Sequence, residues 1–588
     1  MLPFLFARRA PAPAFTDTER TVDADGTRRF GPAWAKHHHG LWILHLTGDR
    51  YAMAYQHGRL LAEEIADGSL ERASRIATDA IEVSVGNGPL GAAVKWYAMK
   101  RIARRILRTG VRHARRLRPD QEALAEAHGL ADATGIDVQT IVDAALAPET
   151  AQVLLGRFSR LAVGAAPSQC TSFAAWGDAT SGGDMIIGRN TDYPLNGFFD
   201  RHPTVVYQTP TDGGQRFMTV TSAGFHNGGV CGFNASGLYL AIHTVPTERV
   251  ASARLPVFLV GQHILRTART FDEAESILAD SKPAAGWSYH VVSTTERRVA
   301  TFELSSNGMA RLDAVGDTHV TTNHWRTPRM RACNLAVNAS VDEDTRARMI
   351  RVQSLLDGGP IDELGAMRIL GDKVDPYSGE RRIAPNTIAA SITVSSSVWR
   401  PEQKRVYVAN GRAPVSTSDY VALPTVDAFD ADAFEDLGVV APGSCTSEAE
   451  LAFIEAKTAI DYDDDTTRAI EALLRARELD DDPSIALVLG IVAVRADRRE
   501  LAESALEAAR DQRRDTRRRL VATYVLGRLL ADRGEHPRAR SCLRTVAEDP
   551  EAKDKLASAA RRALRRHRRL GPRDIAPMAF LADAFRYD

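Results

Sequence analysis

From Cys170 to about residue 414 the chain changes texture: short runs rich in β-branched and aromatic residues follow one another, separated by Gly, Asn, Asp and Pro. The runs are TSFAAW, MIIGRN, TVVYQT, FMTVTS, LYLAIHTV, YHVVST, VATFEL, HVTTN, IAASITV and RVYVAN. Such runs bounded by turn formers predict strands. Two helical patches, roughly 256–280 and 342–370, interrupt them. Runs of strands with helices segregated between them predict a layered α+β architecture, not the regular alternation of a parallel α/β sheet. The same reading covers residues 217–247, which are uncharged over more than the length of a membrane span. Ser222, His226, Asn227, Asn234, Ser236, His243 and several glycines break that stretch, so buried strands are expected there.

The flanks read differently. Residues 1–30 are rich in Pro, Arg, Asp and Thr without a sustained period and are expected to form a flexible arm. Residues 31–169 are expected to be an α-rich N-terminal segment. LWILHLTG at 41–48 reads there as a strand, and 51–155 as mostly helical, broken near Gly86-Asn87-Gly88-Pro89 and Arg118-Pro119-Asp120. Residues 415–447, with their Pro, Ser, Thr, Asp and Gly clusters, are expected to be a linker, and 448–588 a helical-repeat domain. In that last part Ala469, Ala502 and Ala539 recur at intervals of 33 and 37, and Leu473, Leu506 and Leu543 share the offsets. Gly490 and Gly527, with Pro483 and Pro550 near unit ends, resemble the tetratricopeptide pattern, in which small residues let paired helices approach. Its aromatic positions are mostly missing, and an irregular Ala- and Leu-rich bundle is the alternative.

A length of 588 residues implies two to four domains, and 44% apolar with 26% charged residues excludes global disorder. Lys plus Arg balances Asp plus Glu at 75 each, so net charge selects no partner. The five cysteines, Cys170, Cys231, Cys333, Cys445 and Cys542, are odd in number and lack zinc or disulfide spacing, which favours a reducing compartment. No signal peptide is read, because the N-terminal basic pair follows its short apolar run instead of preceding it; a cytoplasmic location is expected.

The chemistry concentrates in Ser168-Gln169-Cys170-Thr171-Ser172-Phe173, followed by Gly188-Arg189-Asn190-Thr191-Asp192-Tyr193. Between them lie a strand, the turn residues TSGGD and a returning strand, which brings Cys170, Arg189 and Asp192 to one end of a hairpin. A cation near a thiol favours the nucleophilic thiolate. If the chain is cut before Cys170, the new α-amine serves as general base for its own thiol, and Asp192 is placed to hold that amine.

These residues resemble the autoproteolytic cysteine branch of the N-terminal-nucleophile hydrolases, the acyltransferase/hydrolase family that includes isopenicillin N acyltransferase; choloylglycine hydrolases and acid ceramidase are more distant relatives. The resemblance spans roughly residues 40–414. It is carried by GDRYAMAYQHGRLL at 48–61, CTSFAAWG at 170–177, GRNTDYP at 188–194, GFNASGL at 232–238, TNH at 322–324 and VYVANGRAP at 406–414. It implies an αββα sandwich, self-cleavage between Gln169 and Cys170 that would release the upstream segment as a small subunit, and attack by Cys170 on a carboxamide or thioester. An acyl-enzyme would then pass its acyl group to water or an amine. Cys170 matches the nucleophile, Arg189 the residue steadying its thiolate, Asp192 the carboxylate beside its amine, and Asn323 the asparagine near the oxyanion. His243 or Thr244 lies near where relatives place a further oxyanion donor. Gln169 stands where the penicillin-pathway enzyme has glycine.

No cofactor and no metal are expected; the expected partner is a small amide or acyl-thioester substrate. The alternative is an inert scaffold that binds protein partners through the C-terminal repeats. Cys231, Cys333, Cys445 and Cys542 have no catalytic company and are expected to be structural. His37-His38-His39 carries no metal reading, because adjacent residues of an extended strand point to opposite faces. The basic, acid-free stretch 95–118 is an amphipathic helix candidate for weak contact with an anionic membrane surface, though a solvated face explains it as well. The arginines of 561–569 lack interleaved aromatics, so no nucleic-acid partner is expected.

Overall fold

A computed structural model describes residues 19–67, 70, 119–157, 169–226, 230–251, 256–335, 339–461, 463, 465–512, 515–552, 554–566 and 570. Within them the strands form two sheets. One has eleven strands, in the order Thr21–Val22, Arg28–Phe30, Ala33–His38, Leu41–Gly48, Pro203–Pro210, Phe217–Ser222, Cys231–Asn234, Leu238–Thr244, Trp287–Ser293, Arg298–Ser305 and Gly308–Asp313. The other has seven: Thr318–Thr321, Cys170–Gly177, Gly183–Asp192, Thr393–Arg400, Arg405–Ala409, Tyr420–Pro424 and Val439–Val440. Neighbouring strands run antiparallel except at one seam, where Trp42 to Gly48 lie in parallel register with Thr204 to Pro210.

Alternation along each strand sends successive side chains to opposite faces, and this builds the layers. Ala174, Ile187 and Trp399 of the seven-stranded sheet share a buried cluster with Val205, Phe233 and Tyr239 of the eleven-stranded one. Their sequence neighbours Phe173, Ile186 and Val398 point the other way, onto Val352, Leu356, Met367 and Leu370 of the helices Ala339–Leu356 and Glu363–Leu370. The outer face of the larger sheet, with Leu44, Leu46, Val206, Leu240 and Phe302, packs on Met53, Ile264, Leu265 and Leu278 from the helices Arg50–Leu60, Val257–Thr267 and Phe271–Ser281. Helix, sheet, sheet and helix follow one another, a mixed α and β fold with the expected layering. Within 217–247, Phe217–Ser222, Cys231–Asn234 and Leu238–Thr244 are buried strands.

Several boundaries differ from expectation. The segment read as an arm supplies the strands Thr21–Val22 and Arg28–Phe30, and the segment read as α-rich adds Ala33–His38 beside Leu41–Gly48, so both are stitched into the larger sheet. Residues 415–447 are not a linker: they contribute Tyr420–Pro424 and Val439–Val440, and the Phe429 ring stacks on Tyr207 at 3.7 Å between centroids. Apolar residues sparse within a polar stretch hid these short strands. The basic stretch 95–118 and residues 567–569 lie outside the described residues.

Downstream, Glu448–Asp461, Thr466–Leu479, Pro483–Arg495, Arg499–Asp511, Thr516–Asp532, His536–Glu548 and Asp554–Arg565 are helices, each packed on the next. Ala469, Ala502 and Ala539, with Leu473, Leu506 and Leu543, occupy equivalent buried places on the second helix of three successive pairs. The glycines explain the close approach: a Cβ on Gly490 would lie 2.7 Å from Leu506 Cγ, and one on Gly527 3.0 Å from Leu543 Cγ. Pro483 opens its helix at a position that needs no amide donor. These helices dock on loop 371–386. Lys373 pairs with Glu450 in the interior, Ile383 joins the helical core, and the buried Arg382 guanidinium faces Asp375, Asp482 and Asp515.

Candidate active site

The hairpin predicted from turn residues sets the frame. Cys170 opens its strand opposite Thr191, and Ser172 lies opposite Arg189, so Cys170, Arg189 and Asp192 share one end of the hairpin. Cys170 is 3% exposed. Its backbone N–H donates to Asn323 Oδ1 at 2.6 Å, across from the end of the strand Thr318–Thr321. Its carbonyl accepts from Arg348 Nη1 at 2.7 Å, and the same nitrogen donates to Thr171 Oγ1 at 2.9 Å. Arg348 Nη2 donates to Asn323 Oδ1 at 3.1 Å, and Nε to Asp344 Oδ2 at 2.9 Å. Gln169 reaches the same carboxylate oxygen, its Nε2 donating at 2.7 Å. Both sides of the Gln169–Cys170 link are therefore gripped by one buried network, with Asp344 and Arg348 at its centre.

Two donors converge on Asn323 Oδ1, which fixes the carboxamide orientation. Its Nδ2 spends one of its two N–H donors on Thr244 O at 2.9 Å, so the side chain spans the Cys170 backbone on one side and the strand end at Thr244 on the other. His243 lies against the Arg189 guanidinium, with Nε2 accepting from Nη1 at 2.7 Å. Burial, then the adjacent Arg189, holds this imidazole well below its ordinary pKa and therefore neutral. Arg189 also donates to Ile242 O at 2.7 Å and to Ser172 Oγ at 3.2 Å. It thus ties the hairpin to the neighbouring strand Leu238–Thr244 across the sandwich.

Asp192 is fully buried; its Oδ1 accepts from Thr393 Oγ1 at 2.6 Å, while Oδ2 has no hydrogen-bond partner. Burial pushes its pKa up to about 7, against the opposing pull of Arg348 and the Thr393 hydroxyl. An unpartnered buried carboxylate oxygen at this place has room for one more donor or for a proton. Cys231 lies on the facing sheet, and burial pushes its thiol up, away from the thiolate form.

Sequence reading did not find Asp344 or Arg348. A usable signal was present: Asp344, Arg348, Val352 and Leu356 recur every four residues, and all are buried along one face of the helix Ala339–Leu356. A charged pair in line with an apolar stripe is a buried pair.

Residues 179–413 match the family model described as acyl-coenzyme A:6-aminopenicillanic acid acyl-transferase, an interval that includes Arg189, Asp192, Asn323 and Arg348 and starts after Cys170. Among solved structures, a Caenorhabditis elegans N-acylethanolamine-hydrolyzing acid amidase ortholog is 17% identical, over 40% of this chain and 93% of its own, with a TM-score of 0.28. A mutant of the conjugated bile acid hydrolase from Clostridium perfringens is 15% identical, over 47% and 97%, with a TM-score of 0.32. No curated protein matches the chain. Over residues 179–413 the chain is thus similar to the acyl-coenzyme A:6-aminopenicillanic acid acyl-transferase family, the resemblance that its motifs implied.

Proposed function

We propose that the protein is an autoprocessed amidohydrolase or acyltransferase in which Cys170, freed as an N-terminus, is the nucleophile. The observation that carries this reading is the grip on the Gln169–Cys170 link: the amide N–H on Asn323, the Cys170 carbonyl on Arg348, and the Gln169 side chain on Asp344. A backbone held on both sides of one bond spends little entropy in reaching the geometry for attack.

In the first step the Cys170 thiol adds to the Gln169 carbonyl. The C–N bond breaks, a C–S bond forms, and the departing nitrogen takes the thiol proton. Water then cleaves the thioester, giving a Gln169 carboxylate and regenerating the thiol. The new α-amine meets Asn323 Oδ1, already its acceptor, and Asp192 lies one residue beyond Thr191, the register partner of Cys170. In turnover this amine takes the thiol proton, Arg189 favours the thiolate, and a substrate amide or thioester acylates the sulfur; water or an amine completes the cycle. The substrate class is a small molecule with an amide or acyl-thioester bond. An inert scaffold draws no support from the family match. The helical pairs are consistent with tetratricopeptide-like stacking, and a partner surface there is a separate proposal.

Intact-mass measurement with N-terminal sequencing tests the reading. The expected result is a chain beginning at Cys170 in the wild type and an uncut chain in Cys170→Ala. A wild type that stays uncut, indistinguishable from Cys170→Ala, would overturn it.

A further inference from the structure

The alternation expected of His37-His38-His39 stops one residue early. The strand ends at His38, and His39 adopts a left-handed turn with φ 46°, which swings its ring back beside that of His38, 4.4 Å between centroids. His37 stays on the strand and packs on Trp42. Both remaining rings present Nε2 to a single carboxylate. His38 Nε2 lies 3.3 Å from Asp436 Oδ1, and His39 Nε2 lies 3.2 Å from Oδ2 and 3.4 Å from Oδ1. The ligand atoms of the three residues all fall within 4.8 Å of one another.

We propose that His38, His39 and Asp436 form a binding site for a divalent transition metal, with zinc as the reference ion. Two imidazoles and a carboxylate are zinc's ordinary ligands, at about 2.0–2.2 Å, which puts the edges of a tetrahedron at roughly 3.3 Å. The nitrogen-to-oxygen separations already match such edges. The two nitrogens lie within 4.8 Å of each other, and His39 sits in an exposed turn. His38 Nε2 supplies a second observation: His38 is 8% exposed, and apart from the facing Asp436 carboxylate, to which it makes no well-aligned hydrogen bond, this buried nitrogen has no partner. The shell around the ligands is built. Phe434 meets the His38 ring edge-on at 5.1 Å, Gly438 N–H donates to Asp436 Oδ1 at 2.9 Å, and Asn410 Nδ2 donates to His39 O at 2.8 Å. Such outer contacts fix the orientation of ligands. Three protein ligands leave the remaining position to water.

The location gives the site its role. His38 and His39 end a strand of the eleven-stranded sheet, whereas Asp436 belongs to the connection between Tyr420–Pro424 and Val439–Val440 of the other sheet. A metal here staples the two sheets at one rim. It also joins chain on either side of Gln169–Cys170, so it would bridge the two fragments of a cut protein, although the site itself does not depend on cleavage.

Cobalt(II) titration of the metal-stripped full-length Cys170→Ala protein provides the test, followed by visible ligand-field absorption and by thermal unfolding. One equivalent with tetrahedral bands, displacement by zinc and a raised Tm are expected. His39→Asn, which tolerates the left-handed turn, and Asp436→Asn should each weaken binding by at least the roughly 10–100-fold lost when an outer-shell partner is removed. His37→Ala should leave it unchanged. The proposal falls if the parent binds no metal, if thiolate-to-cobalt charge-transfer bands show that cysteines hold it, if His39→Asn and Asp436→Asn bind as before, or if His37→Ala weakens binding equally.

Discussion

The Cys170 hairpin and the C-terminal helices bury their contents on opposite terms. Around Cys170 the interior is charged: Arg189, Asp192, Asp344 and Arg348 are each at most 2% exposed, and apart from Asp192 Oδ2, which has no hydrogen-bond partner, they lean on one another and on nearby side-chain and backbone groups. Between the C-terminal helices the seam is small and dry: Ala469, Ala502, Leu473 and Leu506 pack without polar atoms, and Gly490 makes space for Leu506. In the second region each contact depends on local spacing. In the first, residues more than 150 positions apart must arrive together before any of them is satisfied. A charged interior gives specific geometry and is intolerant of partial loss, whereas an apolar seam degrades gradually.

The sharpest way to break this contrast is to separate the chain at Gln169–Cys170. The fragment before the cut carries Leu41–Gly48, hydrogen-bonded on both sides within the larger sheet, so the two fragments should co-elute on gel filtration and part only in denaturant. Separation under native conditions would show that the N-terminal strands are held by the covalent link alone. Next comes Arg348→Ala. It strands Asp344, the Cys170 carbonyl and Asn323 Oδ1 without their common donor and should cost about 3–5 kcal/mol by urea unfolding. Arg348→Lys should recover only part of this, because an ammonium cannot reproduce the guanidinium fork.

A third test uses pH. The uncut Asp192 carboxyl titrates at about 7, above its value of roughly 3.9 in an unfolded chain. The folded state therefore holds the proton more tightly. The resulting stabilisation is complete below about pH 4 and is lost as pH rises towards 7, with a slope of up to about 1.4 kcal/mol per unit. In the Cys170→Ala background, Asp192→Asn should flatten that part of the profile; an unchanged slope would assign it to other groups. The smallest effect belongs to the seam. Gly490→Ala gains about 1 kcal/mol of helix propensity and loses about 1–3 kcal/mol to the Leu506 clash, a net destabilisation of about 1 kcal/mol. On a Leu506→Ala background, itself costing about 2–5 kcal/mol, Gly490→Ala should become neutral or stabilising.

The same contrast explains what could be read from the chain. The TSGGD turn acts over a few residues, and the Cys170–Arg189 hairpin appears in the structure as read; the repeat offsets act over a few dozen, and the residues that carry them are buried on Thr466–Leu479, Arg499–Asp511 and His536–Glu548. The Arg348 network depends on a helix packing across a sheet, which neither period nor spacing expresses. The run IAASITV shows a subtler limit. It reads as a strand, yet pairing starts only at Thr393. Upstream, Asn190 Nδ2 donates to Ile388 O at 3.0 Å, Ala389 N–H donates to Asp372 O and Tyr193 N–H to Ile392 O, so scattered side-chain and loop bonds satisfy this apolar run in place of a ladder. Apolar content alone does not separate those two solutions. The histidine run fails for a related reason: face alternation ends with the strand, and the sequence does not mark that His38 is its last residue.

The parallel seam between Leu41–Gly48 and Pro203–Pro210, the one such strand pair among the described residues, bears on the order of events. A chain severed before that seam forms would leave each piece with a bare row of amide donors and acceptors, an invitation to pair with strangers. If the chain is cut at Gln169–Cys170 as proposed, the cut would be safe only once the sheet has closed, and a network assembled from residues of both sheets would make it wait for folding.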